Sequence, residues 1–178
     1  INGYGASDAS ISNSEITSNS SLDNGAGIYI SDTLSLFIYM DNLVLTSNSS
    51  DSLGGGIYAS GNVNVDMNNS IVDSNSAYSG AGIYFTGSSI LDLDSLHIAE
   101  ETAKQYGRDI NGYGASDASI SNSEITSNSS LDNGAGIYIS NTLFLSMDNL
   151  VLTSNSSDQY GGGIYIGGDV NVDMNNSI

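Results

Sequence analysis

The chain has 178 residues, of which 39% are hydrophobic, 20 are acidic and only 2 are basic, for a formal net charge of −18. That length and apolar content suffice for a buried core, and the charge repels nucleic acid and anionic membrane surfaces. With no Cys there is no disulfide framework and no thiolate metal site, and no apolar run reaches the roughly 20 residues of a membrane span.

Self-similarity governs the sequence. Residues 1–31 recur unchanged as 110–140, and residues 40–71 recur as 147–178 with five substitutions. The chain is therefore a long repeat, 1–109, and an incomplete second copy, 110–178. The offset falls from 109 to 107 between Leu34–Tyr39 and Leu143–Ser146, which predicts a bulge or loop there. A shorter period lies inside the long one. The first glycines of Gly25-Ala-Gly-Ile-Tyr29, Gly54-Gly-Gly-Ile-Tyr58, Gly80-Ala-Gly-Ile-Tyr84, the degenerate Gly107-Arg-Asp-Ile110, Gly134-Ala-Gly-Ile-Tyr138 and Gly161-Gly-Gly-Ile-Tyr165 are spaced by 29, 26, 27, 27 and 27 residues. Units begin at Ile1, Ile28, Ile57, Ile83, Ile110, Ile137 and Ile164, and the chain reads as a window on a longer array.

Within a unit, apolar residues alternate with polar ones. In the sixth unit Ile137 and Ile139 share a face, then Leu143, Leu145 and Met147, then Leu150 and Leu152, giving three short strands. The third unit supplies Ile57, Ala59, Val63, Val65, Met67 and Val72, and the fourth Ile83, Phe85, Leu91, Leu93, Leu96 and Ile98. Ser, Asn, Asp and Gly fill the corners. Such a unit cannot bury its apolar side chains alone, but stacked on its neighbours it encloses a continuous core. The expected fold is all-β: a single parallel β-helix solenoid over 1–178, right-handed, with coils of about 27 residues. Hexapeptide and nonapeptide β-rolls have other periods, and the leucine-rich repeat reading of Met147-x-x-Leu150-x-Leu152-x-x-Asn155 fails because another strand follows in place of an outer helix.

Aliphatic-x-x-Asn (Ile16–Asn19, Leu45–Asn48, Val72–Asn75, Ile125–Asn128, Leu152–Asn155) followed by Gly-x-Gly-Ile-Tyr resembles the paired FxxN and GGA[ILV] motifs of polymorphic outer membrane proteins. The likeness covers nearly every unit. It implies a right-handed β-helical passenger of autotransporter type, non-catalytic, exposed at the cell surface or secreted, and associated with adhesion.

Stacking turns equivalent residues into columns. Asn19, Asn48, Asn75, Asn128 and Asn155 form one, interrupted by Glu101, where amides can bond from coil to coil. Asn48 and Asn155 also open Asn-Ser-Ser sequons. Tyr29, Tyr58, Tyr84, Tyr138 and Tyr165 form a second column, broken at Asn2 and Asn111. It is an aromatic ladder or an interaction surface. Asp23, Asp51, Asp132 and Asp158 recur before the glycine turn, with too few oxygens per coil for a dedicated calcium site, so loosely held divalent cations are expected. About 6.6 coils at ~4.8 Å make a rod of about 32 Å, with roughly one charge per 1.8 Å.

The only basic residues, Lys104 and Arg108, lie near His97, Glu100 and Glu101, where Ala99–Tyr106 reads as a helical turn and a salt-bridged loop. No cofactor, metal site or catalytic residue is assigned. Gly112, Ser116, Ala118 and Ser123 stand where other coils carry larger groups, which predicts thin, weak coils in the fifth unit and in the first, whose sequence it repeats. The functional expectation is an extracellular structural or adhesive array, a stalk or filament that associates end to end or laterally and meets glycans or a neighbouring cell surface. The alternatives are a polysaccharide-active β-helix enzyme, for which two basic residues are few, and an ice-binding protein, for which Thr17, Thr46, Thr126 and Thr153 give only a partial column.

Overall fold

The computed structural model describes residues 1–4, 8–104, 109–114 and 117–178. Each coil lies in parallel on the next, and all the strand pairs among these residues are parallel. Ile28, Ile57, Ile83, Ile110, Ile137 and Ile164 are partners in succession, so the repeat period becomes a spatial column.

The sixth coil shows how its residues make the turn. Ile137–Ser140, Phe144–Asp148 and Val151–Thr153 answer to the three strands that the alternation predicts, except that Leu143, expected to share a face with Leu145 and Met147, lies before the second strand and is exposed; a fourth strand of two residues, Ser156–Ser157, follows the ladder asparagine. These two-residue strands form a separate six-stranded sheet. Left-handed backbone turns the coil between strands, at Asn141 (φ 54), Asn149 (φ 54), Ser154 (φ 58) and Gly161 (φ 64). Asn and Gly tolerate this region best, which explains their placement at corners. The last glycine of each Gly-x-Gly has another cause. A Cβ on Gly27, Gly56, Gly82 or Gly136 would lie 2.6–2.7 Å from the carbonyl oxygen of the coil above. In the second coil all three strands run together as Ile28–Thr46, whose end pairs with Ile71–Asp73, and the two extra residues are absorbed by a register shift between Asp32 and Leu36.

The core is a set of apolar columns, and large and small residues alternate along them. Ile30, Ala59, Phe85, Gly112 and Ile139 follow one another in register, and Phe85 is fully buried. A Cβ on Gly112 would stand 2.3 Å from Phe85 Cζ and 2.8 Å from Ile139 Cδ1, so the neighbouring coils fill the space that glycine leaves. The thin cross-section expected in the fifth coil is real at Gly112, but it is packed, not hollow. Ala118 is buried between Leu91 and Leu145. Ser123 is buried too, its hydroxyl donating to Ser121 O at 2.6 Å and accepting from Leu96 N at 3.0 Å. Ser116 lies outside the described residues.

That serine belongs to a column with a two-coil beat. Leu43, Ser70, Leu96, Ser123 and Leu150 alternate along the axis, all buried. Each Leu N–H donates to the hydroxyl of the serine in the next coil, from Leu43 to Ser70 and from Leu150 to Ser177 as from Leu96 to Ser123. A leucine side chain then always meets a smaller neighbour.

Candidate functional site

The asparagine column runs along the inside edge of the corner. Asn48 and Asn75 are fully buried. Asn19 Nδ2 donates to Asn48 Oδ1 at 2.9 Å, Asn48 Nδ2 to Asn75 Oδ1 at 3.0 Å and Asn128 Nδ2 to Asn155 Oδ1 at 2.9 Å. The same acceptors take backbone N–H groups of Asn19, Asn48 and Asn128. Spare amide hydrogens return to carbonyls of the coil before, such as Asn75 to Leu45 O and Asn155 to Ile125 O. These bonds answer backbone groups that the corner would otherwise bury unmet. A glycan cannot be carried by Asn48 in the folded coil, because its amide is buried and engaged on both sides.

Glu101 does not break this column. Its Oε1 accepts from Asn75 Nδ2 at 2.9 Å, and its N–H donates to Asn128 Oδ1 at 3.0 Å. Burial holds its carboxyl well above the ordinary carboxylate value, the bond from Asn75 opposes that shift, and Asp73 adds to it. A second carboxylate, Asp109, is buried close by and accepts from Asn128 Nδ2. It stands where other coils carry the last glycine of Gly-x-Gly. The sequence held the signal for this pair, since one coil alone replaces both the ladder asparagine and that glycine.

The tyrosine column consists of stacked rings. Tyr29 and Tyr58 have centroids 5.2 Å apart, Tyr58 and Tyr84 5.6 Å, and Tyr138 and Tyr165 5.0 Å, with planes within 13° of parallel. All five are half-buried, because stacked rings cover each other's faces and leave edges to solvent. Asn111 is in register between Tyr84 and Tyr138 and is itself buried. A cavity of about 400 Å³ opens beside it, with Tyr78, Tyr84, Tyr113 and Tyr138 in its walls. Burial raises the Tyr84 hydroxyl pKa, and Tyr58, Tyr113 and Tyr138 raise it further.

The fourth coil departs from the sequence reading. Residues 99–104 form no helical turn: His97–Ala99 is a strand, Glu100 turns the corner at φ 56, and Thr102–Ala103 is the next strand. The Ser-Asn-Ser corner geometry is imposed here on Glu-Glu-Thr by the coils on either side. Residues 105–108, including Arg108, lie outside the described residues. His97 meets neither neighbouring glutamate. Its Nδ1 is 3.4 Å from Glu124 Oε2 in the next coil, and both side chains are about half exposed, while Glu101 points inward.

The aspartates of the glycine turn do not share one column. Ser21 pairs with Ser50, so the register places Asp51 beside Leu22 and Asp23 beside Ser52; Asp132 and Asp158 are offset in the same way. Among the described residues no three His, Asp or Glu side chains are grouped to hold a metal ion. Thr17 and Thr46 hydroxyls lie 3.1 Å apart, and Thr126 and Thr153 3.0 Å, but Asp73 and Ala99 occupy this column between them. No helix among the described residues is long and apolar enough to cross a membrane.

The family model described as "Right handed beta helix region" matches residues 1–178. Neither the curated proteins nor the solved structures gave a match.

Proposed function

Because the chain belongs to the right-handed β-helix family, we propose that it serves as a rigid structural and adhesive array at the cell surface or outside the cell. That family holds both pectate-lyase-like enzymes and non-enzymes. The observation that carries the non-catalytic reading is the parallel stacking of the coils, which the register shift between Asp32 and Leu36 does not interrupt. From Tyr29 to Tyr165 the inward Ile column recurs in every coil, and the outward tyrosine recurs in every coil but that of Asn111. A solenoid of this kind supplies length, stiffness and a surface presented many times over. The resemblance to polymorphic outer membrane proteins supports an autotransporter-type passenger, with the tyrosine column as the contact surface.

Charge bears on the mode of association. Rods that each carry −18 repel one another side by side, so association end to end, which extends the parallel ladder, is favoured unless divalent cations screen the flanks. Electron microscopy of the native material, with and without calcium, tests this. Rods or filaments several coil-stacks long are expected, with bundling only when calcium is added. Isolated short particles in both conditions, or turnover of acidic or neutral polysaccharides by the purified protein, would overturn the proposal.

A further inference from the structure

On the outer face of the second strand of each coil, Phe37, Asn64 and Ile90 occupy one column in three successive coils. Phe37 and Ile90 are 43% and 42% exposed. The shorter Asn64 between them leaves a groove of about 300 Å³, completed by Tyr39, Asp66 and Asp92. Those three stand in register in the adjacent outward column. Asn64 Oδ1 is itself buried, without a hydrogen-bond partner, so the surface of the groove is mainly apolar. Asp66 accepts from Asn68 Nδ2 at 2.5 Å, which holds its carboxylate in place beside Asp92.

We propose that this groove binds an arginine side chain presented by a basic partner polypeptide. Its walls suit an aliphatic stem, laid between Phe37 and Ile90. The carboxylates of Asp66 and Asp92, adjacent in one column, form a pair of acceptors at the edge of those walls. A planar head with five N–H groups meets both of them at once, whereas an ammonium is a point charge. Tyr39 adds a ring against which a guanidinium stacks. Anionic ligands are repelled by the two aspartates and by the net charge of −18. A second copy of this chain is a poor occupant because it brings 2 basic residues with 20 acidic ones. Part of the groove recurs in the second long repeat, where Phe144 pairs with Asn171 and Ser146 with Asp173, serine replacing Tyr39.

A blocked peptide with one arginine among glycines and serines, and its citrulline counterpart, test the assignment by NMR titration of the whole chain. The arginine peptide should shift the Asn64 side-chain amide and the Ile90 methyl resonances, and citrulline should not. The double variant D66N/D92N should weaken binding about tenfold or more, as should Asn64→Leu, which fills the floor. The control D23N/D132N removes the same charge elsewhere and should change affinity less than about twofold. Unchanged unfolding midpoints will show that the variants retain the fold. Equal binding of citrulline, or equal loss in the control pair, would overturn the proposal. So would concentration-dependent shifts of the same resonances without peptide, which would make a second copy the occupant.

Discussion

Phe85 and Gly112 should behave as one packing unit shared by two coils. Phe85 is fully buried, its column neighbours are Ala59 and Gly112, and neither can reach into the space it occupies. Truncation to alanine should therefore fall at the upper part of the range for buried phenylalanine, about 4–5 kcal/mol. Gly112→Ile alone forces a Cβ to within 2.3 Å of Phe85 Cζ, and the overpacking should cost about 3 kcal/mol. Together the two substitutions restore volume: the introduced isoleucine fills what the phenylalanine vacates and continues the column from Ile139. The double variant should cost about 4 kcal/mol against a sum of about 7–8, a coupling of about 3–4 kcal/mol. Urea unfolding followed by circular dichroism gives the free energies, and hydrogen exchange at Ile110–Tyr113 localises the effect. Additive costs would refute the view that the coils are jointly packed at this point.

The other predictions concern the columns. Asn75→Ala removes the acceptor shared by the Asn48 amide and backbone N–H and takes one donor from Leu45 O and from Glu101, so destabilisation of about 3 kcal/mol or more is expected in equilibrium unfolding. Glu101→Gln should stabilise the chain at neutral pH. With the folded pKa raised, the wild type holds its full stability below the ordinary carboxylate pKa and loses it as pH rises through the folded value, while the variant stays flat. Unfolding midpoints across that window check the sign, with Asp73 and Asp109 as the other carboxylates near the site. Asp94 has the opposite slope: bonds from Ser121, Asn122 and Ser95 depress its pKa, so its contribution is present above the ordinary carboxylate value and is lost as pH falls through the depressed one. Carboxylate NMR titration of the S121A/N122A variant should return it toward the ordinary value. Tyr58→Ala breaks two ring contacts at once and should cost about 1–3 kcal/mol from stacking alone, against half that for Tyr29→Ala, by thermal unfolding.

The coil length, the parallel stacking and the main columns were legible because each depends on residue type at a fixed interval. Ile-Tyr after glycine, and asparagine three places after an aliphatic, recur often enough to define a register without coordinates. What was not legible depends on cross-coil neighbours. Glu101 reads as a solvated charge until the asparagines above and below enclose it, and Asp109 reads as a failed glycine. The helical turn at Ala99–Tyr106 was inferred from local propensity, which the adjoining corners override in residues 99–104. Alignment of Phe37 with Asn64 was hidden by the two-residue shift upstream, so the outer groove could not be seen as a column. The aspartates before the glycine turn were grouped by distance from the motif, whereas the serine pairing sets their true offset.

The Leu/Ser alternation restricts how such a gene can grow. Deleting or duplicating a single coil would set leucine upon leucine or serine upon serine at the splice, crowding one side chain or leaving a backbone N–H without its hydroxyl. Removing or adding two coils restores the phase. Recombination within the array is therefore tolerated in steps of an even number of turns, and the 109-residue copy, four turns long, obeys that parity rule.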